Sequence, residues 1–216
     1  MASGTRETIL NAAEKLFAEQ GFDATSLRQV IGAAKVNIAS VHYHFGSREE
    51  LIKAVLSRRL SPMNQERLAL LDQLESQAGR RPLELERLLE AFVGPPLRLS
   101  RDPRKGQAFM RLAGRALAEP NPVIQTMFTE QFREIARRFI AAFARAVPEL
   151  NPTELFWRTH FGVGAMVHTL MFGPQLKGFS GGLCDVSDTE AVIRRLVQFM
   201  TAGMRAGIAP KKGGKR

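Results

Sequence analysis

Apolar residues recur along this chain at intervals of three and four, and strand-like alternation is nowhere sustained. The first run, from Thr5, sets Ile9, Ala13, Leu16 and Phe17 on one stripe and closes at Gly21, a natural helix terminator. Ser26 and Gln29 form a capping-box pattern ahead of Leu27, Val30, Ile31 and Ala34, one buried helical face. Asn37 is the next cap. It opens a helix of little more than two turns, Ile38 to about His44, stopped by Phe45-Gly46. Ser47 with Glu50 makes a second capping box and launches an amphipathic run through Leu51, Ile52, Val55 and Leu56. Two helices about three residues apart, the second short and polar outside, predict a helix-turn-helix whose second member enters a DNA major groove.

Further on, Ser61-Pro62 reads as a cap with proline at the first helical position, so either a new helix starts there or one long helix kinks. Leu60–Pro62 is the expected joint between a DNA-facing domain, residues 1–60, and a larger one, residues 61–208. Leu83–Ser100 is helical, with a break or kink expected at Gly94-Pro95-Pro96. A basic connection, Arg98–Lys105, leads to a short helix, Gln107–Glu119. One long helix is then expected over Val123–Val147 and another from Glu154 to about Phe172, followed by a glycine-rich loop over Gly173–Ser187. The last helix, to about Arg205, carries two apolar rows: Val192, Leu196, Phe199 and Gly203, and Ile193, Val197, Met200 and Met204. Rows about 100° apart exceed what one packing partner usually needs, so either one row suits the chain's own core and the other a second copy, or the helix is central in a large monomer. The fold class expected is all-α, with roughly nine or ten helices.

A formal charge of +10 suits a polyanionic partner, but its placement tempers that reading. Residues 1–60 hold eight Lys/Arg against six Asp/Glu, a net of +2. Four more cations sit in the tail, residues 209–216, whose composition is that of a disordered end. The single cysteine, Cys184, admits no internal disulfide, no run reaches the length of a membrane span, and MASGTRETIL lacks a signal's apolar core. A cytoplasmic protein is expected. No Cys-His constellation, phosphate loop or nucleophile elbow is present. His160 and His168, eight apart, diverge by about 80° around a helix, which is poor metal-ligand geometry. No catalytic residue, metal or cofactor is assigned. An enzyme is one rival reading, and an architectural DNA-binding protein, which would need more basic charge on its DNA-facing part, is another.

The helix ILNAAEKLFAEQGF, the segment TSLRQV and the run VHYHFGSREEL together resemble the DNA-binding domain of the tetracycline-repressor (TetR) family of bacterial transcription factors, over roughly the first fifty residues. Lys35 stands where that family usually has a turn glycine, Gly32 sits late in the second helix, and His42 replaces a common aromatic. The resemblance implies a three-helix N-terminal domain and a C-terminal helical domain for ligand binding and dimerisation. It also implies a homodimer paired through the last two helices, with two reading heads on a palindromic operator in double-stranded DNA.

From the residues, Ser26 and Arg28 suit the phosphate backbone or a guanine edge, and Ala39 and Ser40 are small enough to sit deep in the groove. Lys35 suits a phosphate, and Asn37 either contacts DNA or only caps. By resemblance, Tyr43 and His44 match the family's phosphate-clamping pair and Arg48 a phosphate contact. The expected dimer face comprises Phe161, Gly164, His168, Val192, Leu196, Phe199 and Gly203. Candidate ligand-binding residues are Phe109, Met110, Ala113, Phe128, Phe132, Trp157, Phe161 and His168, an adaptable Met- and aromatic-rich set with few carboxylates nearby. This favours a hydrophobic small-molecule effector. VNIASVHYHFGS is also similar to the reading segment of a fatty-acid-responsive subgroup, which makes the effector fatty-acyl-like. No membrane partner is expected.

Overall fold

The computed structural model describes residues 2–207, and the basic tail expected at 209–216 lies outside the described residues. The described residues form ten helices and no strand: α1 (Ala2–Gln20), α2 (Leu27–Ala34), α3 (Ile38–Phe45), α4 (Arg48–Ala78), α5 (Leu85–Arg101), α6 (Gly106–Ala118), α7 (Pro122–Glu130), α8 (Arg133–Ala146), α9 (Pro152–Phe179) and α10 (Thr189–Arg205). They divide into two compact units. One holds residues 1–66 and 98–135, the other 67–97 and 136–216. The division therefore falls inside α4, after Glu66, rather than at Leu60–Pro62, and α6 and α7 join the N-terminal unit.

In the first unit α1 buries Ile9, Leu10, Ala13 and Phe17. Gly21 (φ 95°) ends the helix, and Phe22 folds back to put its ring 5.2 Å from that of Phe17. α4 continues as one helix past Pro62, which removes one amide donor from it. Leu56, Leu60 and Met63 are buried around it. At about 1.5–3 kcal/mol each, their burial offsets the roughly 3 kcal/mol a mid-helix proline costs. The single helix expected over 123–147 is instead two. The Gln131 carbonyl accepts from Asn64 Nδ2 at 2.7 Å, and Gln131 and Phe132 donate to carbonyls three residues back. A side chain of α4 thus intercepts a carbonyl that an unbroken ladder would need, and the chain tightens and turns.

In the second unit Phe92 of α5 meets Phe139 and Phe143 of α8 at 5.1 and 5.8 Å. No break occurs at Gly94-Pro95-Pro96; all three residues are buried inside α5. Pro96 has no N–H for the Phe92 carbonyl, and Arg67 Nε of α4 donates to that oxygen at 2.8 Å instead. The Arg67 guanidinium also lies 4.9 Å from the Phe92 ring centroid and 3.5 Å from Met166 Sδ. Burial pushes its pKa down to about 10. α9 likewise outruns its expected end, continuing past Gly173-Pro174 to Phe179 before a turn built on Gly181 and Gly182. α10 is capped by Asp188, whose Oδ1 accepts from Ala191 N–H. At its other end Arg158 Nη1 donates to the carbonyls of Gly203, Met204 and Ala206, which satisfies acceptors the helix leaves open.

Candidate nucleic-acid interface

Each reading element is set by a side-chain cap. Ser26 opens α2 in extended backbone (φ −87°, ψ 155°), its Oγ accepting from Gln29 N–H while Gln29 Oε1 accepts from Ser26 N–H at 2.7 Å. The Ser26 hydroxyl proton also goes to Gln29 Oε1, 2.8 Å away, so this hydroxyl serves the cap first. α2 ends on Lys35 in the left-handed region (φ 54°, ψ 42°), the one non-glycine with positive φ among the described residues. A lysine here holds the conformation a turn glycine would take freely. Its N–H reaches the Gly32 carbonyl, and its side chain is exposed. Asn37 then caps α3, with Oδ1 accepting from Ser40 N–H at 2.8 Å and Ser40 Oγ at 2.9 Å.

α3 turns Val41 and Phe45 into the core, so its opposite face is outermost. Tyr43 is 82% exposed, its ring 5.1 Å from that of His44, and Ala39 is exposed beside half-buried Ser40. Ile38, 60% exposed at the first position of the helix, adds an apolar side chain to this outer face that the sequence pattern did not single out. An apolar residue directly after a cap, off the buried stripe, was the available signal. His42 is exposed, with Nδ1 2.9 Å from the Gly46 carbonyl oxygen. Arg28 stands exposed in the first turn of α2.

Arg48, expected at a phosphate, is also tied into the fold. Its Nε donates to the Thr25 carbonyl at 3.2 Å and its Nη2 to the Phe22 carbonyl, which ties the α1–α2 turn to the start of α4. The same turn is held from α6. Arg115 Nη2 donates to the Glu19 carbonyl at 2.8 Å, and Glu119 Oε2 accepts from Phe22 N–H at 3.2 Å. Side chains thus satisfy backbone groups that a tight turn leaves open, and they fix the approach of α2. Sequence reasoning missed this bracing because its partners lie about a hundred positions apart.

The helix-turn-helix with its exposed outer face can be compared with known proteins. The family model for bacterial regulatory proteins of the tetR family matches residues 9–55, and that for the tetracyclin repressor-like C-terminal domain matches residues 90–203. The chain belongs to the TetR family. Members of the TetR family are transcriptional regulators, not enzymes; they bind DNA and small-molecule effectors and act as dimers. The chain is 30% identical over 135 residues to the HTH-type transcriptional repressor NicS of Pseudomonas putida, covering 57% of this chain and 63% of NicS. It is 46% identical over 59 residues to the HTH-type transcriptional repressor Rv3405c of Mycobacterium tuberculosis, covering 26% of this chain and 31% of that protein. The matches therefore span less than two thirds of these relatives. The fold of NalD, the secondary repressor of the MexAB-OprM multidrug efflux pump in Pseudomonas aeruginosa, superposes with a TM-score of 0.67 at 21% identity, covering 94% of this chain and 98% of NalD.

The other expected sites divide between the two units. In the first, Phe109, Ala113 and Phe128 pack with Leu56, Leu60 and Leu112 around a void of about 10 Å³, room for a single water. Phe132 sets its ring 5.2 Å from Phe128, and Met110 instead borders an open cleft between α1 and α6 of about 500 Å³. Trp157, Phe161 and His168 lie in the second unit, exposed along α9 with Gly164. On α10, Ile193, Val197, Met200 and Met204 are buried, as is Leu196. Phe199 is 67% exposed, Gly203 is exposed and Val192 is half-buried. Gly162 of α9 packs on α10: an added Cβ would sit 2.5 Å from Met200 Cε. Among the described residues no helix is long and apolar enough to cross a membrane, and no group of three or more His, Cys, Asp or Glu is placed to hold a metal ion.

Proposed function

We propose that two copies of this chain bind one inverted-repeat operator in double-stranded DNA as a cytoplasmic transcriptional repressor, and that a small apolar effector releases them. The observation that carries this reading is the outer face of α3, where Ile38, Ala39 and Tyr43 point away from a buried Val41–Phe45 side. Ser40, Tyr43 and His44 join Arg28 and Lys35 as the contacts proposed with DNA. Ser26 and Asn37 act chiefly as the caps that aim them, and Arg48 acts through the α1–α2 turn. Exposed Phe161 and Phe199 support pairing of copies through α9 and α10. A two-fold would set the half-sites about 34–36 Å apart.

The effector site is proposed among the apolar residues of the central helices, with Phe128 and Phe132 at one wall, and a fatty-acyl-like chain suits such a lining. An effector acts by binding better to a dimer whose heads are wrongly spaced for DNA, and linkage then requires DNA to weaken effector binding by the same factor. Selection from a random duplex pool followed by footprinting tests the reading. One protected palindrome is expected, and Tyr43→Ala or Arg28→Ala should weaken protection while leaving the unfolding midpoint unchanged. Diffuse, sequence-blind coating would overturn it. Native mass spectrometry of the purified protein tests the effector class, since an apolar acyl compound should travel with the dimer.

A further inference from the structure

From Thr159 to Leu176 the chain carries no Asp, Glu, Lys or Arg, although this is the body of a helix whose Trp157, Phe161, Phe172 and Leu176 are largely exposed. Charge depletion around exposed aromatic rings marks the centre of a protein interface rather than a solvated face. Among the exposed positions, which also include Phe156, His160, Pro174 and Gln175, one stripe runs Trp157, Phe161, Gly164, His168, Phe172 and Leu176, and its spacing is nearly the same read in either direction. Trp157 with Leu176, Phe161 with Phe172 and Gly164 with His168 each have their midpoint at about residue 166. A stripe with that property is its own complement when turned end for end, as a two-fold contact demands: residue i meets j and j meets i.

We infer that α9 lies antiparallel on α9 of a second copy, crossing near residue 166, with Phe161 against the partner's Phe172 and Trp157 against the partner's Leu176. The inference rests on the dimer reading above and adds its register. Nothing lies within 4 Å of a Cβ placed on Gly164, so that position leaves room for the partner's His168. Paired rings stand at each end of the stripe: Trp157 and Phe161 stack at 5.6 Å, and His168 and Phe172 sit 5.0 Å apart. The run of α9 past Pro174 gains a purpose here, because a helix ending at Phe172 would leave the partner's Trp157 uncovered. With Phe199 of α10 alongside, the half-exposed rings offer on the order of 500 Å² per protomer, over half of the ~800 Å² a standard interface covers on each side.

The test uses the full chain carrying Cys184→Ser, which removes the one native thiol. Under mild oxidation, Phe161→Cys/Phe172→Cys together should give a covalent dimer, and either change alone should not. Eleven residues of helix, about 16 Å, prevent a bond within one chain. Efficient cross-linking by Phe161→Cys alone would overturn the register, because it would place the crossing at Phe161. So would absence of cross-linking in the double variant while sedimentation still shows a dimer. A monomeric wild-type chain at micromolar concentration would instead remove the dimer reading beneath it. In a second arm, Phe161→Lys and Phe172→Glu should each raise the dimer dissociation constant by about a hundredfold or more, and combining them should recover at least about tenfold. No recovery in the combination would also refute the pairing.

Discussion

Arg67 allows a quantitative forecast, because the terms that oppose each other there are visible. Burial lowers its pKa to about 10, well below the usual guanidinium range, which places the desolvation penalty on the charged form at about 3 kcal/mol. The folded pKa lies below the unfolded one, so this penalty is fully present below pH 10 and is relieved only as pH rises above 10 towards the unfolded guanidinium's range. Against it stand a charge-assisted hydrogen bond to the Phe92 carbonyl, about 1.5–3 kcal/mol, and a desolvated cation–ring contact of about 2 kcal/mol. Arg67→Met keeps most of the volume, removes the penalty and leaves the Phe92 carbonyl without this donor, so it should change stability by less than about 2 kcal/mol. Arg67→Ala adds a cavity and should cost about 3–5 kcal/mol. The decisive member is Pro96→Ala, which returns to Phe92 the helical N–H that the proline withholds. It should stabilise the Arg67→Met chain by about 1–3 kcal/mol and the wild type by much less. Urea unfolding at one fixed protein concentration, with unchanged m, reads all four corners of the cycle. A coupling below about 0.5 kcal/mol would refute the claim that Arg67 and a backbone amide compete for one carbonyl.

Four more outcomes follow from the first unit. Arg48→Ala should lower stability by about 1–3 kcal/mol, through the orphaned Phe22 and Thr25 carbonyls. Arg28→Ala should leave stability unchanged but reduce the slope of log K against log salt by about 1, so melting and salt titrations together separate the two arginines. Lys35→Gly should raise stability by about 1 kcal/mol by relieving its left-handed backbone, and an unchanged or lower denaturation midpoint would contradict the geometry given for the turn. Gly106→Ala should destabilise by more than the roughly 1 kcal/mol that alanine gains in a helix, since its Cβ would lie 2.4 Å from the Ser100 carbonyl oxygen. Chemical denaturation checks the sign.

What the sequence displayed was whatever is encoded locally. The caps at Ser26, Asn37 and Asp188 each act on amides within three residues, and a window of that width holds all the information. The breaks expected at Pro95-Pro96 and Gly173-Pro174 do not occur, and at Pro62 the one-helix alternative holds, for the complementary reason. Pro62 and Pro96 continue their helices because of burial and, at Pro96, because Arg67 supplies the missing donor from 29 positions away. Conversely, the 123–147 run breaks because Asn64, far back in α4, takes the Gln131 carbonyl. Arg48 illustrates the limit at the site itself. Its position after the reading helix is legible, but its bond to the α1–α2 turn depends on how three helices meet.

Arg48 being spent on a turn has a consequence for how the protein searches a genome. Within α2 and α3 the cations are Arg28 and Lys35, both exposed, and a helix pair that displaces so few counterions adds little to the hold on arbitrary duplex. Such a head should spend little time sliding along chromosomal DNA and should reach its target mostly by repeated encounters from solution. Its occupancy would then depend on how well α3 fits the right bases, more than on the bulk attraction of phosphate.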